Sequence, residues 1–206
     1  MNIKSIYYSL LKFYRSWKIK NKSISIISNN CWGGFMYQSC NLPYSSPFIG
    51  LYLYAPEYIK LLKNLKYNLN QPIHFIDRSK SKYSQYIDKD YIIGVLGNTG
   101  IELVFMHYKT QDEVIEKWNR RLKRIDYDNM IIKFSDTDEC RSDFYIEEFD
   151  KLPYKNKVCF TAKKYPDCKS VIYMPEFVKK GFVLYEWAYS YKYYNFVKHA
   201  NQLLSI

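Results

Sequence analysis

Short apolar segments alternate along this chain with stretches of helical periodicity, and this alternation restricts the possible folds more than any other feature. Segments with the length and β-branched content of buried strands occupy residues 23–28, 48–54, 72–77, 91–96, 101–108, 130–134, 158–162 and 171–174. Helical spacing separates several of them, for example at Ile59, Leu62 and Leu65 after Pro56. Strands that alternate with helices predict an α/β fold, with three α/β/α layers around a mixed, largely parallel sheet.

Local signals add detail to this prediction. Gly97 and Gly100 enclose a short polar stretch between two apolar segments, so we expect one antiparallel hairpin within the sheet. Thr110 and Glu113 fit the capping box that begins a helix. A further helix is expected over residues 187–204. The chain contains no convincing linker or internal repeat, which indicates a single domain.

A basic, amphipathic segment at residues 1–22 precedes this domain, which is predicted over residues 23–206. The segment contains six lysine and arginine residues and no acidic residue. The sequence allows two interpretations of it: residues 1–20 contact an anionic membrane surface, or the helix packs on the domain with its basic face in solvent. The apolar side chains at helical spacing are Ile3, Ile6, Tyr7, Leu10, Phe13, Tyr14 and Trp17.

The charge and cysteine content restrict the partners and the compartment. The net charge is +11 and the pI is near 9.2, but six of the positive charges lie in residues 1–22, so no continuous surface for a nucleic acid is predicted. The five cysteines form no CxxC pair, and an odd number is typical of reduced thiols in the cytoplasm. No apolar run approaches the roughly 20 residues of a membrane span. We therefore expect a cytoplasmic protein, either free or at the inner face of the membrane.

The most distinctive polar segment follows the apolar segment at residues 23–28. Ligands of open α/β sheets bind beyond the carboxyl ends of the strands, where glycines let backbone amides approach an anion. Asparagine amides could bind sugar hydroxyls or stabilise an oxyanion, and Cys31 could be a nucleophile if the helix start lowers the pKa of its thiol. The alternative is a tight turn with an inert, buried cysteine. The candidate catalytic and substrate-binding residues are Asn29, Asn30, Cys31, Trp32, Gly33 and Gly34.

Two aspartates follow the apolar segment at residues 130–134. Asp136 and Asp138 could hold Mg²⁺ or Mn²⁺ against a diphosphate, and Asp136 could also take part in catalysis. Acidic residues at such a position also cap helices or occupy solvated turns. A structural role is therefore the alternative for both.

Three basic side chains complete the predicted site. His107 ends an apolar segment and could act as a general base. Lys163 and Lys164 follow the segment at residues 158–162 and could neutralise phosphates. The alternatives are a histidine satisfied by backbone groups and two solvated lysines. We expect the asparagine–glycine turn, His107 and the aspartates to face one another across one cleft.

Several stretches taken together resemble a known bacterial family. They are SNNCWGG (28–34), LPYSSPFIGL (42–51), FMHYK (105–109), EKWNRR (116–121) and LPYKNKVCF (152–160). These stretches are similar to the domain-of-unknown-function family numbered nineteen-nineteen, whose members are often labelled exopolysaccharide biosynthesis proteins. The resemblance implies an α/β fold and a place in capsule, exopolysaccharide or lipopolysaccharide gene clusters, but no catalytic mechanism. This chain departs from the family pattern at Asn98, where many members have an aspartate.

Three functions are compatible with these features. The first is a transferase that moves a sugar from a nucleotide-sugar to a polysaccharide precursor, with the aspartates and a metal on the diphosphate, Lys163 or Lys164 on the phosphates and His107 as base. The second is an O-acyltransferase that acts on a sugar hydroxyl through Cys31 or through direct attack assisted by His107. The third is a non-enzymatic sugar-binding or assembly protein at the inner membrane face.

Overall fold

The structure, a computed structural model, describes residues 3–137 and 142–205. The α-helices are α1 (Ile3–Lys18), α2 (Trp32–Ser39), α3 (Ala55–Lys63), α4 (Leu65–Leu69), α5 (Gln111–Leu122), α6 (Asp143–Lys151) and α7 (Phe196–Gln202). The strands are β1 (Ser25–Ser28), β2 (Ile73–Ile76), β3 (Ile92–Leu96), β4 (Ile101–Phe105), β5 (Met130–Ser135), β6 (Lys157–Thr161) and β7 (Val171–Tyr173). Short 3₁₀ helices lie at Arg78–Lys80, Gly97–Thr99, Pro175–Phe177, Glu186–Ala188, Ser190–Lys192 and Leu203–Ser205.

A parallel sheet with the strand order β1-β5-β6-β7 forms the centre of the fold. Successive side chains of a strand point to opposite faces, so each strand contributes to two cores. Ile26 of β1 packs on one face with Trp32 of α2 and Phe196 of α7. Ile27 packs on the other face with Tyr58 of α3. The predicted α/β class, with helices on both faces of a parallel sheet, is confirmed.

The predicted hairpin forms, but it lies outside the parallel sheet. Strands β3 and β4 pair antiparallel across the turn at Gly97–Thr99, where Gly100 has a φ of 69° that favours glycine. Strand β2 pairs with the other edge of β3, so that these strands form a separate antiparallel sheet. All residues of β4 are buried, because this strand packs against α3 and the shared core. The single mixed sheet that we expected is therefore divided into two.

The segment at residues 48–54, which we expected to be a strand, is mostly irregular. Gly50 has a φ of 70°, which lies outside the extended region and bends the chain. Beyond the bend, Tyr52 forms an isolated bridge to β4. The next residue, Leu53, donates its N–H to the carbonyl of Asn29 at 2.8 Å. The segment therefore joins the edges of the two sheets instead of extending either one.

The single helix expected over residues 187–204 does not form. Three 3₁₀ turns and the shorter α7 occupy this region. The side chain of Glu186 is buried, and the hydroxyl of Ser190 accepts a hydrogen bond from Trp32 Nε1 at 3.0 Å. Tyr185, immediately before the first turn, has a φ of 53°. Because these side chains are held by the interior, the chain takes short turns where the periodicity predicts a helix.

Helix α5 begins at the predicted capping box. The hydroxyl of Thr110 accepts the N–H of Glu113 at 3.1 Å. The Glu113 carboxylate accepts the N–H of Lys109 at 2.8 Å, one residue before the position that a standard box uses. These bonds satisfy backbone donors that have no partner within the helix. The start of α5 is thus confirmed, and its inner face points Trp118 and Arg121 into the fold.

Helix α1 leaves much of its apolar stripe exposed. Leu10, Phe13 and Trp17 are 63%, 73% and 70% exposed. The end of the helix is attached to α7, because the side-chain oxygen of Asn201 accepts the N–H of Lys20 at 2.7 Å. Packing of the apolar stripe on the domain, one of the two interpretations above, is therefore wrong for these three side chains. Within the described ranges, no helix has the length and apolar character required to cross a membrane.

Candidate functional site

The parallel register brings the polar segments after β1 and β5 to the same edge of the sheet. Ser28 of β1 lies opposite Lys133 of β5, so the residues that follow them are neighbours. Asn30 Nδ2 lies 3.4 Å from Ser135 Oγ. The predicted meeting of the asparagine turn with the end of β5 is present in the structure.

A buried ion pair lies beneath this edge. Lys133 and Glu186 are 0% and 2% exposed, and the Lys133 ammonium contacts Glu186 Oε1. The same ammonium donates to Asn30 Oδ1 and to Ser135 Oγ, each at 2.9 Å. Asn30 Nδ2 in turn donates to Glu186 Oε1 at 2.7 Å. Charge and hydrogen bonds together hold β1, β5 and the turn at Glu186–Ala188 in one network.

The network sets the ionisation of both partners. Burial lowers the pKa of the Lys133 ammonium, and the Glu186 carboxylate opposes this shift. Burial also acts to raise the pKa of Glu186, but the Lys133 charge and the bonds from Lys133 and Asn30 outweigh it and hold that pKa below its ordinary value. A buried ion pair remains charged only when such bonds satisfy it. The Glu186 carboxylate is therefore charged near neutral pH, and the Lys133 ammonium is its counter-charge.

Asn29 is incompletely satisfied within this network. Its Oδ1 accepts from Lys133 Nζ at 3.3 Å. Its Nδ2 is buried and has no hydrogen-bond partner among the residues that the structure describes. Since neither atom reaches the surface, Asn29 orders the lysine and does not face a cleft.

Asp136 has a structural environment. Its carboxylate accepts the N–H of Ala162 at 2.8 Å and the N–H of Val183 at 2.9 Å, and these bonds join β6 to the segment before Glu186. Burial raises the pKa of Asp136 to about 6, against the effect of the two N–H groups. Because each oxygen accepts a backbone N–H, these contacts favour the structural alternative over metal ligation by Asp136, and its predicted part in catalysis stays a prediction.

The rest of the predicted metal site gives no further support. Asp138 lies outside the described residues. Across residues 3–137 and 142–205, no cluster of three or more His, Cys, Asp or Glu side chains could hold a metal ion. The donors that the structure places near the sheet edge therefore do not fit Mg²⁺ or Mn²⁺.

A first cleft, the basic cleft, lies beside the start of α2. Its volume is about 370 Å³, and the residues that define it are Cys31, Gly34, Tyr44, His107, Lys117 and Arg121. The His107 side chain is exposed, and the backbone N–H of His107 donates to the carbonyl of Gly50 at 3.1 Å. The close approach to His107 also requires glycine at position 50, because an added Cβ would lie 3.1 Å from His107 Cβ.

A second cleft, the aromatic cleft, has a volume of about 400 Å³. The residues that line it include Asn30, Cys31, Asp88, Thr137 and Glu186. Since Cys31 lines both clefts, the two meet at the start of α2. The aromatic walls include Tyr52, Tyr54, Tyr86, Tyr91, Tyr185 and Trp187.

Cys31 occupies the cap position of α2 without a lowered thiol pKa. Burial raises the pKa of Cys31, the Glu186 carboxylate raises it further, and the Lys133 ammonium acts in the opposite direction. The predicted effect of the helix start is therefore outweighed by burial. The thiol is protonated near neutral pH.

Two other residues of the segment have roles in packing. Trp32 is fully buried, and its ring packs against Phe160, Tyr194 and Phe196. Gly33 allows α2 to lie close to β1, since an added Cβ would be 3.1 Å from Ile26 Cγ2. The predicted substrate contacts of Trp32 and Gly33 are corrected accordingly. Gly34 does line the basic cleft.

Lys163 and Lys164 lie away from both clefts. Lys163 is exposed and forms an ion pair with Asp143 at 3.2 Å. The ammonium of Lys164 lies 5.5 Å from the centre of the Tyr173 ring. Neither lysine lines the basic or the aromatic cleft. Their predicted contact with a phosphate in the common cleft is therefore not supported.

The comparison with known proteins agrees with the sequence motifs. Residues 2–203 match the family described as Domain of unknown function (DUF1919). The chain belongs to this family. A protein of Haemophilus influenzae, described as an uncharacterized protein, is 37% identical over 164 residues, which are 80% of this chain and 74% of that protein. The DUF1919 membership that the motifs predict is thus confirmed.

Three residues central to the site in this DUF1919 chain were missed by the sequence reasoning. Lys133 interrupts the apolar run of β5, and a lysine in the middle of a buried strand is a signal that could have found it. Arg121 falls on the same helical face as Val114 and Trp118. Glu186 carries no comparable signal, since its neighbourhood has no regular pattern.

Proposed function

We propose that this protein is a transferase of bacterial surface-polysaccharide biosynthesis that binds a sugar in the aromatic cleft. The observation that carries the proposal is the composition of this cleft beyond the carboxyl ends of β1 and β5. Binding sites of this kind combine apolar and aromatic walls with a few placed polar groups. The motifs shared with members labelled exopolysaccharide biosynthesis support the same class of substrate.

The walls and floor of the cleft match the two kinds of surface on a sugar ring. Tyr86 and Tyr185 are 47% and 57% exposed, so their rings are accessible to the C–H face of a sugar. Asn30, Asp88 and Thr137 line the cleft beside those rings and carry hydrogen-bonding groups. The ion pair beneath the cleft holds Asn30 and the turn at Glu186–Ala188 in fixed positions, so the polar groups beside the rings are ordered before a ligand binds.

In the proposed reaction, an acceptor hydroxyl oxygen forms a bond to the anomeric carbon of a nucleotide-sugar. The bond from that carbon to the phosphate oxygen breaks, and the leaving nucleoside diphosphate keeps the electron pair. The hydroxyl proton passes to a ring nitrogen of His107, which lines the basic cleft where it adjoins Cys31. We assign no step to a metal, because the described donors do not fit one.

Matched tyrosine variants test this proposal. Tyr185 and Tyr67 are 57% and 56% exposed, but Tyr67 lies on α4, away from both clefts. Thermal stabilisation by UDP-glucose should fall in Tyr185→Ala and be unchanged in Tyr67→Ala. Equal stabilisation of the two variants, or none of the wild type by any nucleotide-sugar in a panel, would reject a sugar site in the aromatic cleft.

Acyl transfer to a sugar hydroxyl is a second candidate, favoured by the position of Cys31 where the two clefts meet. The Cys31 sulfur would bond to the acyl carbon of a thioester while the donor thiol leaves with the electron pair and the Cys31 proton. A sugar hydroxyl would then displace Cys31, which recovers a proton. The raised pKa of Cys31 opposes this version. Incubation with acetyl-CoA should add an acetyl group to Cys31, and intact mass spectrometry without that adduct rejects it.

We also propose that α1 contacts the inner face of an anionic membrane. Its exposed Phe13 and Trp17 lie on a helix whose segment has six basic residues and no acidic one, which is typical of interfacial helices. Phe13→Ser and Trp17→Ser together should reduce cosedimentation with phosphatidylglycerol vesicles. Unchanged cosedimentation rejects the contact. Sugar binding without turnover in the presence of such vesicles would instead favour the non-enzymatic sugar-binding or assembly protein.

A further inference from the structure

Arg121 is a buried cation at the wall of the basic cleft. It is 7% exposed, although it extends from the inner face of α5 to the cleft. One guanidinium nitrogen donates to the Tyr108 hydroxyl at 2.8 Å. The guanidinium also lies 5.0 Å from the centre of the Tyr44 ring. Packing and hydrogen bonding thus hold Arg121 in place.

No carboxylate in the described part of the chain forms an ion pair with Arg121. The nearest acidic residues of its own helix are used by others: Glu113 pairs with Lys117, and Glu116 pairs with Arg120 at 2.8 Å. The Tyr108 hydroxyl donates to the carbonyl of Ile49 at 2.7 Å, so it accepts from Arg121 as a neutral group. Among the described residues, the positive charge of Arg121 therefore has only neutral partners.

An uncompensated buried charge is costly, and proteins retain one where a ligand supplies the counter-charge. The other residues of the basic cleft also favour a negatively charged ligand. Lys117 also lines this cleft, and its described lining includes no acidic residue. Gly34 brings the first turn of α2 to the cleft, where helix N–H groups carry a partial positive charge.

We propose that the basic cleft binds the phosphate or diphosphate group of the substrate, with Arg121 as its principal ligand. A guanidinium matches phosphate oxygens through paired N–H donors, which suits this role. Lys117 adds a partly neutralised charge at the rim, since Glu113 is its partner. This position replaces the one predicted for Lys163 and Lys164.

The junction of the clefts defines the substrate class further. Because Cys31 borders both clefts, one ligand can place a sugar against the aromatic walls and its phosphate against Arg121. Assignment of the anion to a sugar rests on the proposed function, whereas the anion site itself does not. The chemistry fits a sugar phosphate or a nucleoside diphosphate sugar.

Titration calorimetry with inorganic diphosphate and with UDP tests the anion site. Arg121→Gln should weaken binding of both at least tenfold, and Arg121→Lys should weaken it less. Arg120→Gln is the matched control, because Arg120 is the adjacent arginine of the same helix but is half exposed and paired with Glu116. The affinity of Arg120→Gln for each of the two anions should stay within about twofold of that of the wild type. Equal affinities in Arg121→Gln and Arg120→Gln, or no binding of either anion to the wild type, overturn the proposal.

A second variant keeps the proposal testable if Arg121→Gln does not fold. Lys117→Gln changes a side chain that is 31% exposed, and it should weaken diphosphate binding about threefold in a folded protein. Unchanged binding in this variant, together with an unfolded Arg121→Gln, counts against the site.

These experiments distinguish failure of the anion-site proposal from failure of the sugar-site proposal. If Tyr185→Ala lowers affinity for UDP-glucose but not for diphosphate, both proposals stand. If diphosphate binding depends on Arg121 while Tyr185→Ala has no effect on UDP-glucose, the anion site stands and the sugar site falls.

Discussion

Lys133 Nζ contacts Glu186 Oε1 in the protein interior, across 53 residues of sequence. This contact fixes the position of the turn at Glu186–Ala188 against the end of β5. Through Asn30, it also orders the start of α2, where the two clefts meet. Removal of one partner leaves the other charge buried without compensation.

We expect Glu186→Gln to lower the free energy of unfolding by about 3–5 kcal/mol, because the buried Lys133 amine then has no carboxylate partner. Urea denaturation monitored by circular dichroism measures the change. Glu148→Gln is the control, since Glu148 pairs with the exposed Lys63 and should have a much smaller effect. The double variant Lys133→Met, Glu186→Leu should recover most of the lost stability. Equal losses in the two single variants would contradict a strong buried pair.

The stability of the protein should depend on pH through Asp136. Burial raises the pKa of Asp136 from 3.8 to about 6 in the folded state. The neutral form is therefore favoured by folding: its contribution is complete below about pH 4 and is lost as the pH rises through about 6. Relative to Asp136→Asn, which does not titrate, the wild type should lose on the order of 3 kcal/mol across this range. A constant difference between the two proteins from pH 4 to 7 argues against the shift.

Gly33→Ala should destabilise the protein, whereas Gly34→Ala should not. A Cβ at position 33 would lie 3.1 Å from Ile26 Cγ2, so the fully buried Ile26 side chain must give by a few tenths of an ångström, at a cost of about 1–3 kcal/mol. At position 34 the nearest atom would be Ile49 Cγ2 at 3.7 Å, an ordinary contact. There, alanine should be neutral or stabilising by up to about 1 kcal/mol through helix propensity. Melting temperatures of the two variants compare them directly, and a similar decrease in both would exclude close packing at Gly33 as the cause.

Cys31 should react slowly with iodoacetamide near neutral pH. Burial raises the pKa of its thiol, so little thiolate is present. We expect peptide mass spectrometry to find a rate at least tenfold below that of a free model thiol, rising as the pH increases. Glu186→Gln removes a negative charge that raises this pKa and should accelerate the reaction. Rapid modification of the wild type at pH 7 would favour a nucleophilic Cys31 instead.

Local sequence signals determined the elements whose causes lie within a few residues. The capping box at Thr110 and Glu113, the turn before Gly100 and the apolar runs of β1 and β5 each depend on short-range bonding or on strand length. The sequence also predicted the parallel arrangement of the strands, because the connection from β5 through α6 to β6 returns the chain in the same direction. From that arrangement came the meeting of Asn30 with Ser135 at one edge.

Tertiary structure alone decided which of the candidate residues face a cleft. Asp136 and Trp32 have the residue types of a binding site, but backbone N–H groups satisfy the first and the core encloses the second. Conversely, Arg121 is a candidate ligand because no described carboxylate forms an ion pair with it. Lys133 is part of the site because it pairs with the distant Glu186. Burial and long-range pairing are properties of the packed chain, so no local pattern in the sequence contains them.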